Sequence, residues 1–164
     1  MQQILINKKS KKIKLIFNSQ TKKIEVNGPL GKINYNFNFE IVNGKIFLEE
    51  TKFNFFVTKI KKLLKSVTTG WFLELNLNGL GFKSFKLNDK IALDLGYSNL
   101  IIYKPTNSIK IKNFKNKIIL FSLDQEYLYN VGFTIKNYSS PDPYKGKGIL
   151  RKNEIVKLKK KARS

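Results

Sequence analysis

Cysteine and histidine are both absent from this 164-residue chain. Without cysteine there is no disulfide and no thiolate metal site. Without histidine the commonest general base and metal ligand is missing as well. Arginine is nearly absent: of 32 basic residues, only Arg151 and Arg163 are arginines. The guanidinium fork suits phosphate oxygens better than an ammonium does, so the skew to lysine needs another cause. Together with abundant Asn, Ile and Phe it points to a genome rich in A and T, as many organellar genomes are. Long apolar runs are lacking too, and nothing approaches the roughly 20 residues that span a bilayer. The opening Met1-Gln2-Gln3-Ile4 is unlike a signal peptide, and the arginines of a mitochondrial transit peptide are missing. A protein acting in an organelle would then be made there.

Acidic residues are scarce, 11 against 32 basic ones, which leaves a net charge of +21. A polyanionic partner explains that excess better than any need of a free enzyme; an anionic membrane surface is the other candidate. Glu49, Glu50, Asp89, Asp94, Asp124 and Glu126 are scattered over expected turns and helix ends, where capping and solvation account for them. No two have a spacing that brings carboxylates together, no phosphate-binding glycine loop precedes a helix, and no nucleophile has a histidine base. No enzymatic activity and no cofactor are expected, and an unrecognised nuclease is the enzyme alternative least supported by the residues.

Hydrophobic residues make up 41% of the chain, enough for a core in one ordinary domain or two small ones. Lys8, Lys9, Lys11, Lys12 and Lys14 form a basic arm that reads equally as a frayed terminus or an RNA-touching segment. Ile13, Leu15 and Phe17 then recur at the two-residue period of a half-buried strand. Lys23 to Val26 reads as its partner, closed by Asn27-Gly28-Pro29. Ile33, Tyr35, Phe37 and Phe39 alternate with asparagines as a further strand, and Asn43-Gly44 turns the chain into Ile46-Phe47-Leu48 to complete a small antiparallel sheet. After Thr51 the period changes. Phe53, Phe56, Val57, Ile60, Leu63, Leu64 and Val67 step by three and four, which predicts a helix ended by Gly70. Its apolar stripe is better used as the lid of the sheet than as a membrane-surface face.

Strand patterns resume at Leu73, Leu75 and Leu77, at Phe82 to Phe85, at Ile91 to Leu95, and at Leu100 to Tyr103, with two more at Ser108 to Lys112 and Lys117 to Phe121. The last is nearly all apolar and predicts cover on both faces. Ser122-Leu123-Asp124-Gln125 has the spacing of a capping box, with Ser122 as cap and Gln125 reaching back. Tyr127, Leu128, Val131, Ile135 and Tyr138 give the second helical stripe. Strands then helix, twice over, make a coarse internal repeat.

The segment from Ser140 to Arg151 is the most specific stretch. Pro141 and Pro143 fix φ and remove donors, which excludes helix and central strand and predicts a preset loop. Lys145 and Lys147 alternate with Gly146 and Gly148, placing charge beside bare N–H groups as a phosphate chain requires. Tyr144 adds a ring able to stack on a base or sugar. The alternative is a solvated proline-rich linker. Glu154 and a lysine run follow.

Pro141-Asp142-Pro143-Tyr144-Lys145-Gly146-Lys147-Gly148 closely resembles the C-terminal signature of the universal large-subunit ribosomal protein six family, whose usual form is Pro-Glu-Pro-Tyr-Lys-Gly-Lys-Gly. Asp142 keeps the charge of the glutamate, and Ser139 and Ser140 stand where the family often has a basic residue. Val26-Asn27-Gly28-Pro29-Leu30-Gly31 and Leu95-Gly96-Tyr97-Ser98 resemble two further stretches of it. The resemblance runs from about Val26 to the end, and the first two dozen residues lack the family's usual opening.

The resemblance implies two similar α+β domains, and the periodicity places them at residues 1–71 and 72–140, each an antiparallel-rich sheet with one principal helix, followed by a basic RNA-binding loop and tail at 141–164. It implies a structural protein of the large ribosomal subunit that binds large-subunit ribosomal RNA near the sarcin–ricin loop, among neighbouring ribosomal proteins and beside docking translational GTPases, and not a membrane. The residues expected at RNA are Tyr144, Lys145, Gly146, Lys147, Gly148, Arg151, Lys152, Lys157, Lys159, Lys160 and Lys161. The alternative is a free-standing RNA-binding module or assembly factor. A mitochondrial ribosome is the expected location, with a plastid or an A+T-rich bacterium as alternatives.

Overall fold

The computed structural model describes residues 2–8, 11–18, 20–42, 45–47, 50–106 and 108–160, with side chains described for 13–18, 20–40, 53–106 and 108–160. The fold is α+β: antiparallel strand pairing dominates, and there are two helices among the described residues. The chain divides into two compact units, Met1–Trp71 and Phe72–Ser164.

In the first unit, β1 (Gln2–Lys8), β2 (Lys11–Asn18), β3 (Lys23–Gly28) and β4 (Gly31–Asn36) form a sheet in sequence order. The expected basic arm is therefore not an arm. Gln2 pairs with Phe17 and Lys8 with Lys11, so its described residues lie in a hairpin. The apolar run Ile4-Leu5-Ile6 supplies strand propensity that a reading of local charge passes over. Register then lines up Leu15, Val26 and Ile33 across three strands, and likewise Phe17, Ile24 and Tyr35. This face carries the core.

Helix α1 (Glu50–Thr68) covers that face with Phe56, Leu63 and Val67, all buried, and with Ile60 and Leu64 packed beside them. Phe53, expected in the stripe, is exposed. Gly70 follows the helix with φ +71°, the left-handed conformation expected of a glycine past a helix end. Gly28 allows a close approach: a Cβ there would lie 2.7 Å from Val67 Cγ2 and 3.0 Å from the Val67 carbonyl oxygen. The next turn donates Leu30 N–H to that same oxygen at 3.2 Å, satisfying a helix-end carbonyl. The strand expected to reach Phe39 stops at Asn36, although Phe39 is still buried. Strands β5 (Glu40–Val42) and β6 (Lys45–Phe47) pair with each other as a separate two-stranded sheet rather than completing the first. The expected turn at Asn43-Gly44 lies outside the described residues.

The second unit holds two sheets. Strands β7 (Trp71–Asn78), β11 (Lys110–Phe114), β12 (Lys117–Ser122) and β13 (Gly148–Arg151) lie in the order β11-β12-β7-β13. Strands β8 (Lys83–Leu87), β9 (Lys90–Asp94) and β10 (Ile101–Tyr103) form the other, in the order β10-β9-β8. Buried Ser84 joins them: its hydroxyl donates to Asn113 Oδ1 at 2.7 Å, and Asn113 Nδ2 donates back to the Ser84 carbonyl at 2.6 Å. The Ser84 hydroxyl and carbonyl and the Asn113 amide thereby all keep partners, as low-dielectric surroundings demand.

Helix α2 (Gln125–Asn137) buries Leu128, Val131, Gly132 and Ile135 and packs on β12 and β13. A Cβ on Gly132 would overlap Leu73 Cδ2, so the helix and β7 close up at that glycine. The N-cap is Asp124, not Ser122: its Oδ1 accepts from the backbone N–H groups of Glu126 at 2.9 Å and Tyr127 at 3.2 Å. Ser122 sits two residues earlier and accepts from Asp124 N–H at 3.2 Å. A carboxylate gains more than a hydroxyl from the positive helix end, which decides the frame. On β12, Ile118 and Leu120 are buried while Ile119 and Phe121 are half-buried, so cover on its two faces is unequal.

Candidate nucleic-acid interface

The end of α2 leads straight into the proline–glycine segment, and the structure holds its entry. Tyr97 donates its hydroxyl to the Tyr138 carbonyl at 3.1 Å, which ties the Leu95–Ser98 turn to the helix end. Gly96, with φ +77°, makes that turn, and its N–H donates to Asp94 Oδ1 at 3.3 Å.

Residues 140–147 then close on themselves. Asp142 N–H donates to the Lys147 carbonyl at 2.8 Å and Gly146 N–H to the Asp142 carbonyl at 2.8 Å. The Asp142 carboxylate accepts from Tyr144 N–H at 2.9 Å. This is an Asx turn, and it gives the aspartate a local role that charge alone did not suggest. Gly146 completes the reversal with φ +66°. Tyr144 and Lys145 lie at the tip, exposed.

The loop expected to run on to Arg151 ends earlier than its sequence implies. Gly148–Arg151 is a strand at the sheet edge, pairing antiparallel with β7 so that Gly148 faces Asn78 and Arg151 faces Leu75. Ile149 and Leu150 are buried and fix it there. No proline falls within those four residues, so the ladder is free to form. Gly148 itself is buried against the loop's own backbone. A Cβ at this position would stand 2.6 Å from Pro141 Cα and 2.8 Å from the Ser140 carbonyl oxygen.

The remaining expected residues sort by what they touch. Lys147 Nζ lies 4.9 Å from the Phe82 ring centroid, and the Arg151 guanidinium 5.7 Å from that of Tyr129. Lys152 Nζ pairs with Glu74 Oε2 at 2.9 Å, so part of its charge is met within the protein. Lys157, Lys159 and Lys160 are exposed. The tail turns back along the loop, where Lys159 N–H donates to the Pro143 carbonyl at 2.9 Å. The loop tip and the tail lysines thus share one region. Lys161 lies outside the described residues.

Two carboxylates organise this basic region. Glu74 pairs with Lys152 and also with Lys117, at 3.2 Å. Glu154 pairs with Lys136 of α2 and accepts from Arg151 N–H at 3.1 Å. A lone acid in a basic run is the sequence signal that could have assigned Glu154 this anchoring role; Glu74 offers no such signal. Hydrogen bonds from Lys152, then Lys117, hold the Glu74 carboxyl below its ordinary range, and those from Lys136 and the Arg151 backbone do the same for Glu154 against the opposing effect of burial. A folded-state value below the unfolded one stabilises above the unfolded value and loses that contribution as pH falls through the folded one. The free chain is therefore expected to melt progressively lower on acidification below the usual carboxylate range. Circular-dichroism melts of Glu74→Gln plus Glu154→Gln against the parent should show a flatter acid limb, and an unchanged limb would remove these pairs from the account.

Among the described residues no His, Cys, Asp and Glu side chains gather that could hold a metal, and no helix is long and apolar enough to cross a membrane. The arrangement defines an α+β protein with a basic, backbone-locked loop beside an edge strand. No family model matches the chain. It is 32% identical over 148 residues to large ribosomal subunit protein uL6 of Persephonella marina, covering 83% of each. It is 34% identical over 156 residues to large ribosomal subunit protein uL6c of Pyropia yezoensis, covering 87% of this chain and 86% of that one. With uL6 of Spiroplasma citri the identity is 37% over 106 residues, 64% of this chain and 59% of the relative. The chain belongs to the uL6 family of large-subunit ribosomal proteins. It is a structural protein and not an enzyme.

Proposed function

We propose that the chain is a structural constituent of the large ribosomal subunit whose second unit and tail bind large-subunit ribosomal RNA. The observation that carries this reading is the locked loop at residues 141–148, which carries Tyr144 and Lys145 outward and lies alongside Lys157, Lys159 and Lys160. Its mechanism is electrostatic and architectural. The lysines displace condensed counterions and clamp phosphates, while the hydrogen-bonded loop keeps them in register with an RNA helix. Readout is of shape and backbone, because the deep, narrow major groove of an A-form helix keeps its base edges out of reach of side chains. By the family resemblance, the RNA lies near the sarcin–ricin loop, with neighbouring ribosomal proteins around it and translational GTPases docking close by.

The compartment is proposed to be a mitochondrion, on the strength of the lysine-for-arginine bias; the curated relatives named above come from bacteria and a plastid. One fractionation tests both points. Mass spectrometry of high-salt-washed large subunits from mitochondria of the source cells is expected to find the chain in stoichiometric amount. Recovery in the salt wash or in free particles would favour an assembly factor instead, and recovery in plastid or bacterial subunits would move the compartment while keeping the role.

A further inference from the structure

The first unit carries an open hollow of about 540 Å³ at the end of its sheet, lined by Lys22, Lys23, Asn36, Phe37, Asn38 and Phe55. Its floor is aromatic. Phe37 and Phe55 lie nearly parallel, 6.0 Å apart between centroids and 20° between planes, and Phe56 backs Phe37 at 4.9 Å. Phe55 is 57% exposed and Phe37 beside it is half-buried, so together they offer an aromatic surface to a ligand. The rim is polar and basic. Lys23 and Asn36 face each other across β3 and β4, and Phe37 N–H donates to the Lys22 carbonyl at 2.9 Å, so the chain holds both lysines beside the rings. Among the described residues no carboxylate lines the hollow. Lys22 adopts φ +50°, a conformation that costs a lysine free energy and here sets the turn at the rim.

We propose that this hollow is a second RNA site, which takes one unpaired base from a single-stranded segment. The base stacks on Phe55 and Phe37, the exposed Asn36 and Asn38 amides hydrogen-bond its edge, and Lys22 and Lys23 meet the flanking phosphates. Charge complementarity selects this occupant: an aromatic floor with two cations, and no acid among the described lining residues, suits a nucleotide, whereas a neutral apolar peptide would leave both ammonium groups unmatched. The site differs in kind from the loop and tail of the second unit, which offer one exposed tyrosine and a cluster of lysines suited to duplex phosphates. It rests on the reading that RNA is the partner.

The test uses the full chain, a short oligoadenylate and a short RNA duplex of equal charge. Phe55→Ala is expected to weaken oligoadenylate binding about tenfold, within the range of one base–aromatic stack, and to leave duplex binding unchanged. Phe55→Leu keeps the apolar bulk and should show a similar loss, which separates stacking from misfolding. In NMR titrations, oligoadenylate should shift the amide signals of Asn36, Asn38 and Phe55, including in a Lys145→Ala/Lys147→Ala background. Failure of the hollow and failure of the loop are thereby read independently. Unchanged oligoadenylate affinity in both Phe55 variants, or shifts confined to residues 141–160, overturns the proposal. A response at Phe55 to oligoglutamate but not to RNA overturns it as well, and makes the hollow a protein-docking site.

Discussion

Replacing Gly148 with valine is expected to lower the melting temperature of the free chain by roughly 12–24 °C, since the overlap costs about 3 kcal/mol and each kcal/mol moves a unit of this size by about 4–8 °C. The cost is steric and has no rotamer that relieves it. The atoms a Cβ would meet, Pro141 Cα and N and the Ser140 carbonyl oxygen, are all backbone, at 2.6, 2.8 and 2.8 Å. They cannot swing aside as a side-chain end can. The φ of +148° adds strain for any residue with a Cβ. Relief would require β13 to leave β7, exposing Ile149 and Leu150, or the proline segment to lift and break the Ile149 N–H to Ser139 carbonyl bond of 2.8 Å. Gly146→Ala provides the comparison. Its Cβ would meet only Leu158 Cδ2, at 3.5 Å, so the loss there is confined to the left-handed backbone, about 1–2 kcal/mol. Thermal melts of the two variants decide the matter. Equal melting of Gly148→Val and the parent would mean the loop is not packed as described.

That result bears on why the glycine is there. Read from the sequence, Gly146 and Gly148 bring the backbone close to phosphate. In the structure Gly148 has an internal reason for lacking a side chain, which acts in the absence of RNA. The distinction was invisible earlier because it depends on which backbone comes to lie against position 148. The same limit applies elsewhere. The stripe from Phe56 to Val67 was legible because three- and four-residue steps encode a helix face locally, and so was the alternation at Leu73, Leu75 and Leu77. The joining of Lys152 to Glu74, or of Lys147 to Phe82, was not legible, since each partner comes from a distant strand or turn. Ser122 and Asp124 lie in one local window, yet two cap frames fit it almost equally, and the stronger acceptor settled which one forms. The hollow at Phe37 and Phe55 was hidden for a further reason. Periodicity assigned Phe37 to a core strand and took no notice of Phe55, and the structure brings them together only where β4 ends and α1 crosses it.

Removing the lysines of the loop tip and tail is expected to produce the largest change in RNA binding. Each neutralised phosphate releases counterions and contributes about 0.7–0.9 to the slope of log K against log salt, depending on the RNA form. Lys145→Ala with Lys147→Ala should therefore flatten that slope by about 1.4–1.8 on a large-subunit RNA fragment. Adding Lys157→Ala, Lys159→Ala and Lys160→Ala should flatten it by a further two or so and weaken binding by about two to four orders of magnitude near 0.1 M salt. Folding should barely respond, because Lys145, Lys157, Lys159 and Lys160 are exposed and pair with no carboxylate among the described residues. Lys147 is the exception: its ammonium over Phe82 contributes roughly 0.5–1 kcal/mol at an exposed site, so a small stability loss should accompany that change. Lys61→Ala with Lys62→Ala, on the exposed side of α1, lowers the net charge by the same amount as the loop pair. That control separates local clamping from overall charge. If it flattens the slope as much as the loop pair does, binding follows net charge alone. If the five-lysine variant keeps its affinity and slope, the loop and tail serve only to pack the second unit, and the RNA face lies elsewhere on the protein.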